Sequence, residues 1–102
     1  MTLPRETDAE SFCESLVEER LAAGMNILGP SRSVFRWDGE VHHKNEWIVI
    51  AQVSKAVYDK FYNAVLAVHP YKTPCLIAVP IEQGYEPFLK WICDMSEEGR
   101  CV

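Results

Sequence analysis

The distribution of apolar and polar residues along the chain predicts three helices. Residues 8 to 23 carry an apolar stripe at helical spacing, behind a capping box that begins at Thr7. Gly24 is expected to end this helix in a left-handed conformation. A second stripe predicts a helix over residues 55 to 68, which Ser54 can cap. The stripe of a short last helix consists of Tyr85, Phe88, Leu89 and Ile92.

Alternating and continuous apolar runs predict the strands. Residues 25 to 37 read as an extended segment, and Asp38-Gly39 after them is a hairpin signal. The return limb ends in the run from Trp47 to Val53, which is apolar enough to be covered on both faces. Helices would cover one face, and the other would need a partner, which indicates an oligomer. The run from Cys75 to Ile81 is the next strand, and Pro80 within it indicates an edge or a bulge.

This order of elements predicts an α+β fold. With a first strand added, the order becomes βαββαβ plus a terminal helix, which is the ferredoxin-like plan. Only residues 1 to 4 are left for that first strand, so we expect it to be short or truncated. A chain of 102 residues is expected to form a single domain over 1–102.

The stretch from His69 to Cys75 is the first candidate for a polar site. Pro70 must end the preceding helix at His69, and Pro74 keeps the following residues extended. This stiff segment places His69, Tyr71 and Lys72 close together. An alternative interpretation is that both prolines serve only as a helix stop and a strand entry.

Composition and charge exclude several classes of protein. A net charge of −5 argues against nucleic acid and anionic membranes as partners, because both need a basic surface. The apolar runs are too short to span a bilayer. The first six residues show no signal-peptide pattern, so we expect a cytoplasmic protein with reduced thiols.

The motifs of common enzymes and zinc proteins are not found in the sequence. The four cysteines include no C-x-x-C pair. We find no nucleophile with a paired base, no glycine-rich phosphate loop and no ligand cluster with catalytic spacing. The sequence therefore predicts a protein that is not an enzyme.

Several sequence segments together resemble the CutA family of divalent-cation tolerance proteins. The segments are Leu16-Val17-Glu18-Glu19-Arg20-Leu21-Ala22-Ala23, Asn26-Ile27, Ser33-Val34-Phe35-Arg36-Trp37-Asp38-Gly39-Glu40, His69-Pro70-Tyr71 with Pro74, Ala78-Val79-Pro80-Ile81-Glu82 with Gly84, and Leu89-Lys90-Trp91. They follow the family's order and spacing over nearly the whole chain. The resemblance implies a homotrimer similar to that of PII signalling proteins, with strands that extend between subunits. It also implies a function in tolerance of copper and other divalent metals.

The resemblance also points to candidate metal ligands. His69 matches a histidine proposed as a copper ligand in the family, and Met1 stands where the family has a proposed cysteine ligand. Cys75 is a further candidate, since copper(I) favours thiolate, thioether and imidazole ligands. The chain departs from the family at Gly24, Gln52 and Lys72, where a cysteine, a lysine and a glutamate are usual. These departures change the charge pattern of any ligand site.

Two functions follow as alternatives. The first is a homotrimeric binder of copper or another divalent metal ion, with His69 as a ligand. The alternative interpretation of His69 is that it has only a structural role. The second is a PII-like trimeric small-molecule sensor or scaffold without tight metal binding. In that case the clefts between subunits would bind a metabolite or an anion, and the candidate contacts are Arg36, Trp37, Tyr71 and Lys72.

Overall fold

The computed structural model describes residues 1–96. These residues form an α+β fold with three α-helices and a three-stranded antiparallel sheet. The elements are, in chain order, β1 (Thr2–Pro4), α1 (Ala9–Glu18), β2 (Gly24–Trp37), β3 (Glu40–Gln52), a 3-10 turn (Lys55–Val57), α2 (Tyr58–Val68) and α3 (Glu86–Met95).

A long hairpin dominates the sheet, whose strand order is β1-β3-β2. The predicted turn at Asp38-Gly39 is confirmed, because both residues have positive φ angles, of 50° and 76°. Two consecutive positive φ angles match the right-handed twist of the flanking strands. The register between β2 and β3 shifts once, between Leu28 and Ser31, next to a cis bond before Pro30.

Both ends of α1 differ from the sequence prediction. Asp8 caps the helix through a side-chain oxygen that accepts from the Ser11 N–H at 3.0 Å, in place of Thr7. The helix ends at Glu18, and Arg20 has the positive φ angle, 62°, that was expected of Gly24. Gly24 instead begins β2, where a Cβ atom would lie 3.0 Å from the Trp91 ring. A side chain at this position would crowd Trp91 and Gln52, and glycine avoids this crowding.

The second helix follows the prediction at its end but differs at its start. Lys55–Val57 form a 3-10 turn, and Ser54 makes no capping hydrogen bond with its side chain. Its buried hydroxyl has no hydrogen-bond partner within residues 1–96. The helix ends at Val68, and His69 is extended with φ −68° and ψ 132°, as Pro70 requires.

The predicted strand from Cys75 to Ile81 is not formed, so the ferredoxin-like plan is only partly present in the described residues. A strand needs a backbone partner, and β1 pairs over only three residues, Thr2–Pro4. The alternating side chains of Ile77, Val79 and Ile81 are 75%, 77% and 59% exposed. Leu76, by contrast, packs against the core. The short β1 agrees with the expectation for the first strand.

The core lies between the helices and one face of the sheet. One cluster joins α1 and α2 through Leu16, Phe61 and Val65, and a second joins β1, α1 and β3. Val49 on β3 is 2% exposed, whereas its neighbours Ile48 and Ile50 are 39% and 53% exposed. Helices therefore cover one face of β3, and its other face is open in a single chain.

The cysteines differ in their state. Cys13 and Cys75 carry free thiols, and burial raises the pKa of the Cys13 thiol to about 11. Cys93 is disulfide-bonded, so the expectation of reduced thiols is wrong at this residue. Cys101 lies outside the described residues. Within residues 1–96, no helix has the length and apolarity that crossing a membrane requires.

Candidate functional site

His69 is held by hydrogen bonds at both ring nitrogens. The Nδ1 atom accepts from the Tyr71 N–H at 3.1 Å, and Nε2 lies 2.8 Å from the carbonyl oxygen of Thr2. A carbonyl oxygen only accepts, so Nε2 carries the proton and the lone pair of Nδ1 is already used. The ring is 9% exposed and lies edge-on to Phe12. In this state, the imidazole has no free lone pair for a metal ion.

Tyr71 connects the same segment to a buried carboxylate. Its hydroxyl donates to Oε2 of Glu46 at 2.5 Å, and the ammonium group of Lys44 lies 4.2 Å from the centre of its ring. Burial and the neighbouring Glu46 raise the pKa of Tyr71, so the phenol keeps its proton. It therefore remains a donor to Glu46.

Glu46 is ionised although it is only 6% exposed. Burial raises its pKa, but hydrogen bonds from the hydroxyls of Ser33, Tyr71 and Thr2 and the charge of Lys44 outweigh this effect. The pKa of Glu46 therefore lies below its usual range. Hydroxyl donors around a carboxylate favour its charged form in this way.

The hairpin register places polar and aromatic side chains on the open face of the sheet. Ser33 pairs with Lys44, and Phe35 pairs with His42. Directly paired residues share a face, and residues two positions apart along a strand do as well. Trp37 and Glu46 therefore belong to the same surface.

This surface, together with residues 71–75, encloses an open cavity of about 690 Å³. Among the residues predicted from the sequence, it brings together Trp37, Tyr71, Lys72 and Cys75. Arg36 is not among its lining residues, and its guanidinium group donates to the Gly39 carbonyl at 3.5 Å. That these residues contact a bound metabolite or anion stays a prediction.

Residues 1–96 of a single chain do not form a closed metal site. Within residues 1–96, no three His, Cys, Asp or Glu side chains are grouped so that they could hold a metal ion. The three predicted ligands lie in different surroundings. Met1 packs against the core, and its amino group donates to the Val49 carbonyl at 2.8 Å. Both ring nitrogens of His69 are hydrogen-bonded. Cys75 is exposed in the cavity.

Sequence reasoning missed Glu46 and Lys44. Both lie on the return limb of the hairpin, next to a run that attracts attention only by its apolar character. The signal that could have found them is the two-residue period of the hairpin. Counting back from the turn at Asp38-Gly39 places Lys44 opposite Ser33 and His42 opposite Phe35.

A family model and individual relatives of known description all match this chain to the same protein family. Residues 1–95 match the model of the family described as "CutA1 divalent ion tolerance protein". The divalent-cation tolerance protein CutA of Thermus thermophilus is 37% identical over 92 residues, which is 90% of this chain and 89% of that protein. The corresponding protein of Archaeoglobus fulgidus is 36% identical over 97 residues, 95% of this chain and 94% of its own.

Solved structures agree with these matches. The T. thermophilus structure superposes with a TM-score of 0.87 at 36% identity and covers 93% of this chain and 92% of its own. The A. fulgidus structure, described as a periplasmic divalent cation tolerance protein, has a TM-score of 0.84 at 36% identity and covers 92% and 91% of the two chains. A CutA from a Nostoc species, described as PII-like, shares the fold with a TM-score of 0.88 at 23% identity and covers 94% and 92%.

These matches span nearly the whole described chain and confirm the resemblance inferred from the sequence. They also confirm the prediction that the protein is not an enzyme, since the family is one of metal tolerance. The chain therefore belongs to the CutA1 divalent ion tolerance protein family.

Proposed function

We propose that the protein acts in divalent-cation tolerance as a homotrimer that binds copper or another divalent metal ion. The match of residues 1–95 to the CutA1 family carries this proposal. The relatives from T. thermophilus and A. fulgidus have the same description and nearly the same length. A cytoplasmic location is part of the proposal. The description of the A. fulgidus protein as periplasmic is the alternative that cell fractionation would test.

Unpaired apolar surface supports the assembly. Ile48 and Ile50 lie on the open face of β3, and the segment from Cys75 to Ile81 has strand-like alternation without a backbone partner in residues 1–96. Exposed apolar side chains on unpaired backbone favour association with another chain. A second copy would supply the missing backbone partner and an apolar cover for Ile48 and Ile50, neither of which lines the cavity.

The metal site of this proposal lies between subunits. One chain does not group three ligands within residues 1–96, whereas a threefold assembly gathers three copies of any side chain that lies near its axis. Cys75 is a free, exposed thiol and the most accessible of the predicted soft ligands. His69 would have to release its Tyr71 or Thr2 hydrogen bond before it could bind a metal ion.

A copper(I) titration with ascorbate as the reductant tests this proposal. Saturation near one metal per subunit is expected, with weaker binding after His69→Ala or Cys75→Ser. Cys13→Ala is the matched control, because that thiol is buried and its pKa is raised to about 11. Unchanged affinity in both ligand variants would contradict the ligand assignment. A trimer without copper, zinc or nickel binding would contradict metal binding itself.

The second candidate function is a trimeric small-molecule sensor or scaffold. The open cavity supports it, because Trp37, Tyr71 and Lys72 line one space of about 690 Å³ that has the size of a small-molecule site. A trimer that binds no metal ion but does bind an organic ligand would favour this function over the first.

A further inference from the structure

We propose that this cavity binds a small aromatic anion, meaning one planar ring that carries a carboxylate or a phosphate group. The proposal deepens the second candidate function and rests on it. The cavity is formed by strands and loop residues of a single chain, so the site does not depend on the metal-binding proposal.

The cavity's basic groups are available, although the protein as a whole is acidic. Its net charge is −5, yet Lys44 and Lys72 both line this space. Neither lysine forms a salt bridge within residues 1–96. The Lys44 ammonium group lies over the Tyr71 ring. A ligand anion would therefore meet two cations, of which Lys44 acts on Glu46 through its charge but neither makes a direct ion pair within residues 1–96.

The acidic group of the cavity is already satisfied. Glu46 is 6% exposed, and hydroxyls of Ser33, Tyr71 and Thr2 donate to its carboxylate. The carboxylate already accepts hydrogen bonds, and little of the Glu46 surface is open to the cavity. A cationic ligand would have to displace these hydroxyl donors, whereas an anionic ligand would not. The charge arrangement therefore favours an anion.

Exposed rings supply the other half of the site. Trp37 is 46% exposed and Phe35 is 39% exposed, and both line the cavity. One side of Phe35 is covered by the His42 ring, stacked at 5.5 Å. The indole of Trp37 is thus the most open surface on which a planar ring can stack. Such aromatic contacts prefer offset or edge-on geometry and add to the affinity from burial alone.

Four probes of nearly equal size test the proposal on the full chain in its native assembly. Benzoate and phenyl phosphate are the aromatic anions, benzyl alcohol is the neutral control, and benzylamine is the cationic control. Isothermal titration and ligand-observed NMR would measure binding up to about 10 mM, because ligands this small bind weakly. We expect one or both anions to bind, with affinity that falls as salt rises. The comparison between them decides between carboxylate and phosphate.

Variants locate the binding. Lys72→Met is expected to weaken anion binding by about three- to fivefold, the size of one partly exposed ion pair. Trp37→Leu should weaken both the anions and any residual neutral binding. Lys55→Met is the matched control, since this lysine lies on the 3-10 turn and does not line the cavity. Equal losses for Lys72→Met and Lys55→Met would overturn the site.

Two further outcomes would overturn the proposal that the cavity binds an aromatic anion. Equal binding of all four probes would show a nonspecific apolar groove and overturn the proposal, as would no binding of either anion. The mass of the assembly is measured in the same samples. Failure of anion binding in an intact trimer counts against this site alone, whereas a monomer counts against the proposed function.

Discussion

At the scale of single residues, the contact between Tyr71 and Glu46 ties the segment after α2 to the sheet. The phenol donates to a carboxylate that is 6% exposed. We expect Tyr71→Phe to lower the free energy of unfolding by about 1–2 kcal/mol, because a buried charged acceptor loses a donor. Urea denaturation measures the effect. Tyr62→Phe is the control, since this ring lies on α2 and is 40% exposed. An equal effect of both variants would contradict the assigned contact.

The same carboxylate makes stability depend on pH. The pKa of Glu46 is lowered on folding from its ordinary value of 4.5. Its contribution is therefore fully present above that value and is lost as pH falls through the lowered, folded-state pKa. We expect the Glu46→Gln variant to be less stable than the parent protein at pH 7. Its free energy of unfolding should also fall less steeply as the pH is lowered. Urea denaturation between pH 7 and pH 3 tests this. Glu40→Gln is the control, because Glu40 is exposed at the hairpin turn. A decrease in Glu46→Gln as steep as in the parent protein would contradict the assignment.

The sequence identified part of this site. Prolines at 70 and 74 directed attention to His69, Tyr71 and Lys72, because proline constrains the backbone in a way that can be read from sequence alone. The partners Thr2 and Glu46 were not found. They are far from this segment along the chain, and only the packed structure brings them to it.

At the scale of elements, Arg20 adds to the buried residues Ile92 and Cys93 in attaching α3 to the rest of the fold. Its guanidinium group donates to the carbonyl oxygens of Asp94 and Ser96, at 2.8 and 3.1 Å. We expect Arg20→Asn to destabilise the protein by about 1 kcal/mol, because two hydrogen bonds are lost. Asparagine tolerates the positive φ angle of this position, so backbone strain does not add to the effect.

Hydrogen exchange shows where the effect falls. Residues 86–96 should exchange faster in Arg20→Asn than in the parent protein, while β2 and β3 stay protected. Arg32→Asn is the control, because the exposed Arg32 side chain donates to Asn45 on the hairpin surface, away from α3. Uniformly faster exchange over the whole chain would contradict a local attachment.

Periodicity predicted the helices and the hairpin well, but it failed for the run from Cys75 to Ile81. That run has the composition of a strand. Composition indicates that a segment can pair as a strand, but it does not indicate whether a partner strand is present. In residues 1–96 the β1–β3 pairing spans only Thr2–Pro4, and this run remains unpaired. The cap of α1 was displaced by one residue, to Asp8, because helix boundaries depend on local geometry that the stripe does not fix.

At the scale of the whole molecule, the open apolar surface predicts assembly. Ile50 is 53% and Val79 is 77% exposed in a single chain. We expect Ile50→Asp and Val79→Asp each to shift the assembly toward the monomer, because a charge would have to be buried at the interface. Sedimentation velocity measures the shift. Val68→Asp, at the 64% exposed end of α2, is the control. A stable trimer in both test variants would contradict the proposed interface.

Native mass spectrometry during a copper(I) titration tests the central claim most directly. It reports the number of chains and the number of metal ions in one spectrum. The account predicts a species of three chains that takes up copper in proportion to its subunits, and no metal-loaded monomer, because one chain does not group three ligands within residues 1–96. A monomer that binds copper alone would contradict the shared site. A trimer that stays free of metal would contradict the metal-binding function and leave the anion-binding cavity as the site to pursue.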